Sequence, residues 1–197
     1  MNQIIKCLTV QEEEKFLDTL KNRKDAERAY ILYHLMLITG LRLSEALSLN
    51  VKDAVKVRVD VKVKSWTGKG VKRERFKTVY FPKSLQKHLK NYLRYKAKKK
   101  EAFLEDAPLF VSRNDCRLSP RQVQRDLKKW LNIAGIKRNL SPSALRHTTA
   151  TRLLRKTRNY KLVQRYLGHS SPVTTLKFYV DVFPEDLEEA AEMLAER

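Results

Sequence analysis

Apolar and polar positions along this chain repeat with two different periods, and the change of period divides it into elements. Thr9 and Glu12 have the spacing of a capping box, and Phe16, Leu17 and Leu20 give the helix that follows one apolar side. From about Asp25 to Thr39 the pattern is apolar around much of the helix (Ile31, Leu32, Leu35, Met36, Ile38), which predicts a buried core helix stopped by Gly40. Ser44 is the expected start of a short helix over Glu45–Leu49. The period then shortens to two. Val55, Val57, Val59, Val61 and Val63 alternate with Lys56, Arg58, Asp60, Lys62 and Lys64, as in a half-buried strand with a basic face. A turn at Thr67-Gly68-Lys69-Gly70 and a second strand over Phe76–Phe81 complete a hairpin.

Helical signals return from about Lys83 to Lys100, from Ser119-Pro120 to Gly135, and from Ser141-Pro142 through Leu154. Pro108–Ser112 is a short apolar piece between them. Short helices are expected at Leu162–Leu167 and Thr174–Val180. Pro184 opens a final amphipathic helix with Leu187, Ala190, Ala191 and Leu194 on one side. There is no internal repeat and no long linker. The expected fold class is α+β: a mostly helical domain over residues 1–183 carrying a small antiparallel sheet, then an acidic helix over 184–197.

Composition adds a partner to this picture. The 197 residues are 42% hydrophobic, enough for a core, yet 42 Lys and Arg face 22 Asp and Glu for a net charge of +20. A folded domain this basic usually meets a polyanion, and nucleic acid leads because its affinity comes largely from cations replacing condensed counterions. The final stretch from Pro184 to Arg197 has six acids and one base, which leaves +25 on residues 1–183. The acidic end is therefore not expected to touch nucleic acid. Cys7 and Cys116 match no metal or redox spacing and read as idle thiols in a reducing cytoplasm. No apolar run approaches a membrane span and no signal peptide opens the chain, so a cytoplasmic, nucleoid-associated protein is expected.

Five residues in short, distinctive contexts carry the candidate chemistry: Arg42 in TGLRLSEAL, Lys69 in WTGKGVKRERF, Arg146 in SPSALRHTTATRL, His169 in YLGHSS and Tyr179 in TTLKFYV. Taken singly each has an ordinary explanation: an arginine at a helix end, a solvated hairpin lysine, a capping histidine, one tyrosine among eight. Together, two guanidiniums, an ammonium, an imidazole and a phenol are what a metal-free enzyme needs to break a phosphodiester through a covalent tyrosyl-phosphate. A guanidinium fork grips phosphate bidentately, and a phenol with a pKa near 10 needs neighbouring cations to attack at neutral pH.

In these motifs and their order the chain resembles the catalytic domain of the tyrosine recombinases: phage integrases, Xer-type resolvases and the short fimbrial invertases. The resemblance runs from Leu8 to Tyr179 and implies roles residue by residue. Arg42 and Arg146 would neutralise the pentavalent phosphorane-like transition state, with Glu45 supporting the first of them. Lys69 would protonate the leaving 5′ oxygen, and His169 would bond a non-bridging phosphate oxygen. Tyr179, ten residues after His169, would be the nucleophile. It implies a site-specific recombinase that passes through a 3′-phosphotyrosine, without metal or other cofactor, on double-stranded DNA. It also implies a homotetramer on synapsed DNA, formed from a monomer or weak oligomer, with the acidic helix docked on a neighbouring protomer or on its own domain. Lys72, Arg73 and Arg75 on the hairpin and Lys98, Lys99 and Lys100 in the basic run Lys87–Lys100 are expected DNA-backbone contacts, although a run of this kind is as often a solvated helix face.

Two departures stand beside the match. Ser143 occupies the position where the family usually carries His, and serine is a poor base. His147, one residue past Arg146, is expected to point about 100° away from it on a helix and so not to substitute. The catalytic motifs also begin almost at once, without the N-terminal DNA-binding domain of many relatives. Met1 fits a short complete protein like the invertases, and the alternative is a catalytic fragment of a longer integrase. A catalytically weak DNA-binding regulator with the same fold and a type IB topoisomerase-like enzyme are the competing functions.

Overall fold

The computed structural model describes residues 7–66 and 72–169, with residues 64–66 and 72–74 described as backbone only. It contains helices α1 (Val10–Lys21), α2 (Glu27–Thr39) and α3 (Leu43–Leu47), and strands β1 (Arg58–Trp66) and β2 (Lys72–Tyr80). Helices α4 (Lys83–Lys98), α5 (Pro120–Ile133), α6 (Pro142–Thr157) and α7 (Tyr160–Leu167) follow. The predicted helices at 174–180 and 184–197 lie outside the described residues, as do Lys69 and Tyr179.

The caps are the ones the sequence offers. Thr9 accepts from the Glu12 amide while Glu12 accepts from the Thr9 amide, and Ser119 and Gln122 repeat the arrangement at α5. Helix α2 is buried on most sides and packs against α1, α3, α4 and α6, as its pattern predicts. It begins at Glu27 rather than Asp25, whose carboxylate accepts from the Arg23 guanidinium instead. Gly40 ends α2 with φ +62°, and a Cβ there would collide with Leu167 Cδ2.

A buried helix end cannot leave its carbonyls to water. Here α6 and α7 supply the donors: Arg146 to Gly40 O, Thr149 to Leu37 O, Arg152 to Leu37 O and Tyr166 to Ile38 O. Two of the four are guanidiniums, the charge a helix C-terminus favours. The shared core runs from Phe16 and Leu20 through α2 to Leu85, Leu89, Leu127 and Leu145. A smaller cluster of Ala150, Leu154, Val163 and Leu167 joins α6 to α7.

The two strands pair antiparallel with Val59 opposite Val79, Val61 opposite Lys77 and Val63 opposite Arg75. Alternation then puts Val59, Val61, Lys77 and Val79 on the buried face. The first strand is shorter at its start than its valine pattern suggests. Val55 and Val57 are 59% and 62% exposed, because a short 3-10 helix at Val51–Asp53 turns the chain before pairing begins. The second strand is longer than Phe76–Phe81. The basic run on α4 is not uniformly a solvated or DNA-facing stripe. Lys96 is fully buried, on the same side as Leu89, Tyr92 and Leu93, and pairs with Glu101, whereas Lys98, Lys99 and Lys100 are exposed.

Candidate active site

Arg42 is the residue that opens α3. The predicted start at Ser44 moves two residues back because Glu45 reaches round to accept from the Arg42 amide, 2.8 Å, and from its guanidinium, 2.8 Å. One carboxylate therefore both caps the helix and fixes the side chain of Arg42. Glu45 is itself buried, and its other neighbour is Arg146, with Nη1 3.8 Å from Oε2.

Arg146 sits on α6 and is 7% exposed. Its Nη1 donates to Gly40 O at 2.6 Å and its Nη2 to Leu167 O at 2.7 Å. It thus ties the ends of α2 and α7 to the middle of α6. Burial, with Arg42 beside it, holds its pKa down to about 10, still far above neutrality. His169 follows Gly168, whose φ of +68° ends α7. Burial, then Arg146, Arg42 and Lys77, push His169 down to about 4. It is neutral at physiological pH and can offer one N–H.

Two adjoining cavities share Arg42 and His169. The smaller, about 470 Å³, is lined by Ser143, Arg146 and His147 as well. The larger, about 830 Å³, runs between β2 and α7 and is lined by Arg75, Lys77, Tyr166 and Gly168. The expectation that His147 turns away from the site is therefore corrected. It stands four residues after Ser143, one helical turn, so both line the same cavity wall. Burial and the Arg146 charge lower its pKa, leaving a neutral imidazole able to accept a proton.

Of the expected site residues, Arg42, Ser143, Arg146, His147 and His169 come together, and Arg75 stands at the edge. Lys72 and Arg73 pair with Trp66 and Ser65 at the far end of the hairpin, and Lys98, Lys99 and Lys100 line neither cavity. Lys77 is the residue that motif reading misses. It is 7% exposed, lines the larger cavity, and its Nζ has no hydrogen-bond partner among the described residues. Strand parity could have found it: a lysine two residues before the buried Val79 falls on the inner face. Among the described residues no cluster of His, Cys, Asp and Glu could hold a metal ion. Both cysteines are free, and Cys116 is exposed.

A family model for the phage integrase family matches residues 6–186, nearly the whole chain and every element just described. The chain belongs to the phage integrase family. Among the family's curated members, it is 34% identical over 191 residues to tyrosine recombinase XerA of Pyrococcus furiosus, covering 95% of this chain and 61% of the relative. Tyrosine recombinase XerC of Neisseria gonorrhoeae is 39% identical over 150 residues, covering 76% of this chain and 46% of the relative. The integrase chain thus spans from about half to under two thirds of such relatives. In solved structures the same fold appears in XerH site-specific recombinase bound to difH substrate in a pre-cleavage complex. The match has a TM-score of 0.74 at 26% identity and covers 95% of this chain and 54% of that one. The catalytic domain of bacteriophage HP1 integrase matches with a TM-score of 0.61 at 19% identity, covering 95% of this chain and 94% of that one. Both the tyrosine recombinase resemblance and the mostly helical fold with a two-stranded sheet are borne out. No helix among the described residues is long and apolar enough to cross a membrane.

Proposed function

We propose that this integrase-family chain is a site-specific DNA recombinase that cleaves and rejoins duplex DNA through a 3′-phosphotyrosine. The observation that carries the reading is the meeting of Arg42, Arg146 and His169 round one cavity, with Glu45 the single carboxylate paired with the two arginines among the described residues. One carboxylate between two guanidiniums leaves the site net positive, ready for a phosphate. A phosphodiester held there would share its charge with both arginines and accept from His169. Aligned groups of this kind are worth roughly 10²–10³ in rate each.

Tyr179 is the proposed nucleophile, and its phenolic proton needs an acceptor. Ser143 is unsuited to that part. His147, neutral and on the same wall, is our candidate. The leaving 5′ oxygen needs a proton from a lysine, Lys69 by the resemblance. Because the phosphotyrosine keeps the bond energy of the phosphodiester, no nucleotide cofactor enters the scheme. The proposed partner is duplex DNA, engaged as a tetramer on two synapsed sites in the nucleoid. Residues 1–183 are the proposed catalytic unit and the acidic segment after it a protomer contact. Lys72, Arg73, Arg75, Lys98, Lys99 and Lys100 are proposed phosphate contacts.

A nicked DNA substrate that traps the intermediate tests the reading. Wild-type protein should form a covalent adduct with its correct site, and Tyr179→Phe should form none. Absence of adduct with wild type would overturn the proposal, and relaxation of arbitrary supercoiled plasmid without recombination would favour a topoisomerase instead.

A further inference from the structure

Helix α3 follows directly on Arg42 and holds Glu45 in its first turn, yet it spans only Leu43–Leu47. So short a helix cannot hold itself, because fixing the first turn costs more than one or two hydrogen bonds return. Its far end is also short of donors. The amides of Asn50 and Val51 would be the ones to reach Leu47 O, but they donate to Asp53 Oδ2 and to Ala107 O, each at 2.9 Å. Arg117 fills the gap from 70 residues away. Its Nη1 donates to Leu47 O and, at 3.0 Å, to Leu49 O, and its Nη2 donates to Asn50 Oδ1 at 2.7 Å.

We propose that Arg117 is a positioning residue for Arg42: by clamping the end of α3 it fixes where that helix presents the Arg42 guanidinium to the scissile phosphate. This rests on the recombinase reading, in which Arg42 shares the phosphate charge. Arg117 can act as a clamp because its own backbone is anchored. It pairs with Val111 in an antiparallel bridge, Leu118 donates to Phe110 O at 3.1 Å, and Ser112 donates to Cys116 O at 2.7 Å. The same stretch is joined to the chain after α3, with Leu109 donating to Leu49 O at 3.0 Å. Three residues past Arg117, Pro120 begins α5 and lines the smaller cavity beside Arg42, Leu43 and Ser44. One anchored segment therefore forms one wall of that cavity directly and holds the other through the Arg117 side chain.

Two other parts for Arg117 make different demands. A phosphate contact needs a guanidinium turned outward, whereas both terminal nitrogens here donate to α3 and the residues just after it. A general prop of the core would reach several helices, whereas the side-chain bonds of Arg117 among the described residues go to residues 47–50 alone. Lysine does not replace it, since a single ammonium lacks the fixed fork that spans three acceptors. A slip of α3 would also move Glu45, which holds Arg42 at 2.8 Å and lies 3.8 Å from Arg146. The effect falls on the cleavage step more than on DNA binding, because many other cations carry the affinity of so basic a chain.

The nicked substrate gives the adduct rate at saturating DNA, and a titration gives the affinity. Arg117→Met should slow the saturated rate by roughly 10–10²-fold, the scale of a misplaced group, with DNA affinity and its salt slope within about two-fold of wild type. Arg117→Lys should recover only part of the rate. Adding Arg117→Met to Arg42→Lys should slow that protein by less than about three-fold more, because residues acting through one another are not additive. Hydrogen exchange in Arg117→Met should rise across residues 43–50 and stay at the wild-type level in α2 and α6. A wild-type rate, or wild-type exchange at 43–50, would overturn the inference. So would the full deficit repeated on Arg42→Lys, or a weaker affinity with a shallower salt slope, which marks a phosphate contact. If Arg42→Lys is too slow to measure, the split between rate and affinity decides together with exchange. If wild type forms no adduct, the recombinase reading fails, and exchange still shows whether Arg117 holds α3. Arg117→Lys takes the place of Arg117→Met if the latter does not fold.

Discussion

Arg146 commits two of its donors to the carbonyls of Gly40 and Leu167, so its removal should register twice. Arg146→Lys, with one flexible ammonium, cannot reach both. Each buried carbonyl left unpaired costs about 1–3 kcal/mol, which urea denaturation should detect, while adduct formation should fall by roughly 10²–10³. Lys77 has the opposite sign for stability. The folded pKa of about 8 lies below the ordinary 10.5. Below pH 8 the folded chain therefore holds a charge it would be better without, and from pH 8 to 10.5 it sheds that proton while the unfolded chain keeps it. Lys77→Met should be more stable than wild type at pH 7, by up to about 3 kcal/mol, with the advantage shrinking as pH rises through that window. At the Ser143 wall, His147→Gln should slow adduct formation by about 10²-fold, and adding Ser143→His should restore much of it. Equal rates for wild type and His147→Gln would remove His147 from the proton path.

At the scale of elements, the sequence was most legible where local chemistry decides the outcome. The Thr9–Glu12 and Ser119–Gln122 caps, the Gly40 stop and the buried character of α2 all depend on a few adjacent residues. Misread elements had distant causes. The valine alternation runs on into Val55 and Val57, but pairing begins only where β2 ends. Helix α3 starts at Leu43 because a carboxylate three residues on caps Arg42, a bond that competes with the serine signal. Lys96 looked like one of a solvated row until Glu101 folded back on it. In the site, the motifs pointed to Arg42, Arg146 and His169, while Lys77 and the placement of His147 required the packing of β2 and α6 against α7. The glycine at the end of α2 offers a direct test of that packing. Gly40→Ala adds left-handed strain and a collision with Leu167. It should lower the melting temperature sharply, by more than the roughly 1 kcal/mol of a strained φ alone.

For the whole molecule, charge and acidity set the working range. With +25 on residues 1–183, DNA affinity should fall steeply with salt. For six to ten phosphate contacts the loss between 50 and 200 mM is on the order of 10³–10⁵. Replacing Lys98, Lys99 and Lys100 by alanine should reduce the log–log slope by about one for each phosphate that is no longer neutralised, and an unchanged slope would assign them to solvent. Acid should loosen the fold. His34, pressed by burial and then His88 and Arg152, and His169, buried among cations, both titrate near 4 when folded against 6.5 ordinarily. Between those values the unfolded chain binds more protons, so stability is full above pH 6.5 and is lost as pH falls toward 4. Denaturation midpoints across that range should move accordingly, and His34→Phe should flatten part of the slope.

The capping of α2 by Arg146 also changes how decay of the proposed activity would look among related genes. A descendant that stopped cutting DNA would still need that guanidinium to close its core, so selection would preserve it long after its chemistry was idle. Among the described residues Arg42 is held by Glu45 alone, with its side chain 45% exposed, and none of them gives it such a second employment. An inactive lineage should lose Arg42 first and keep Arg146, so the state of Arg42 is the better sign that a homologue still cuts.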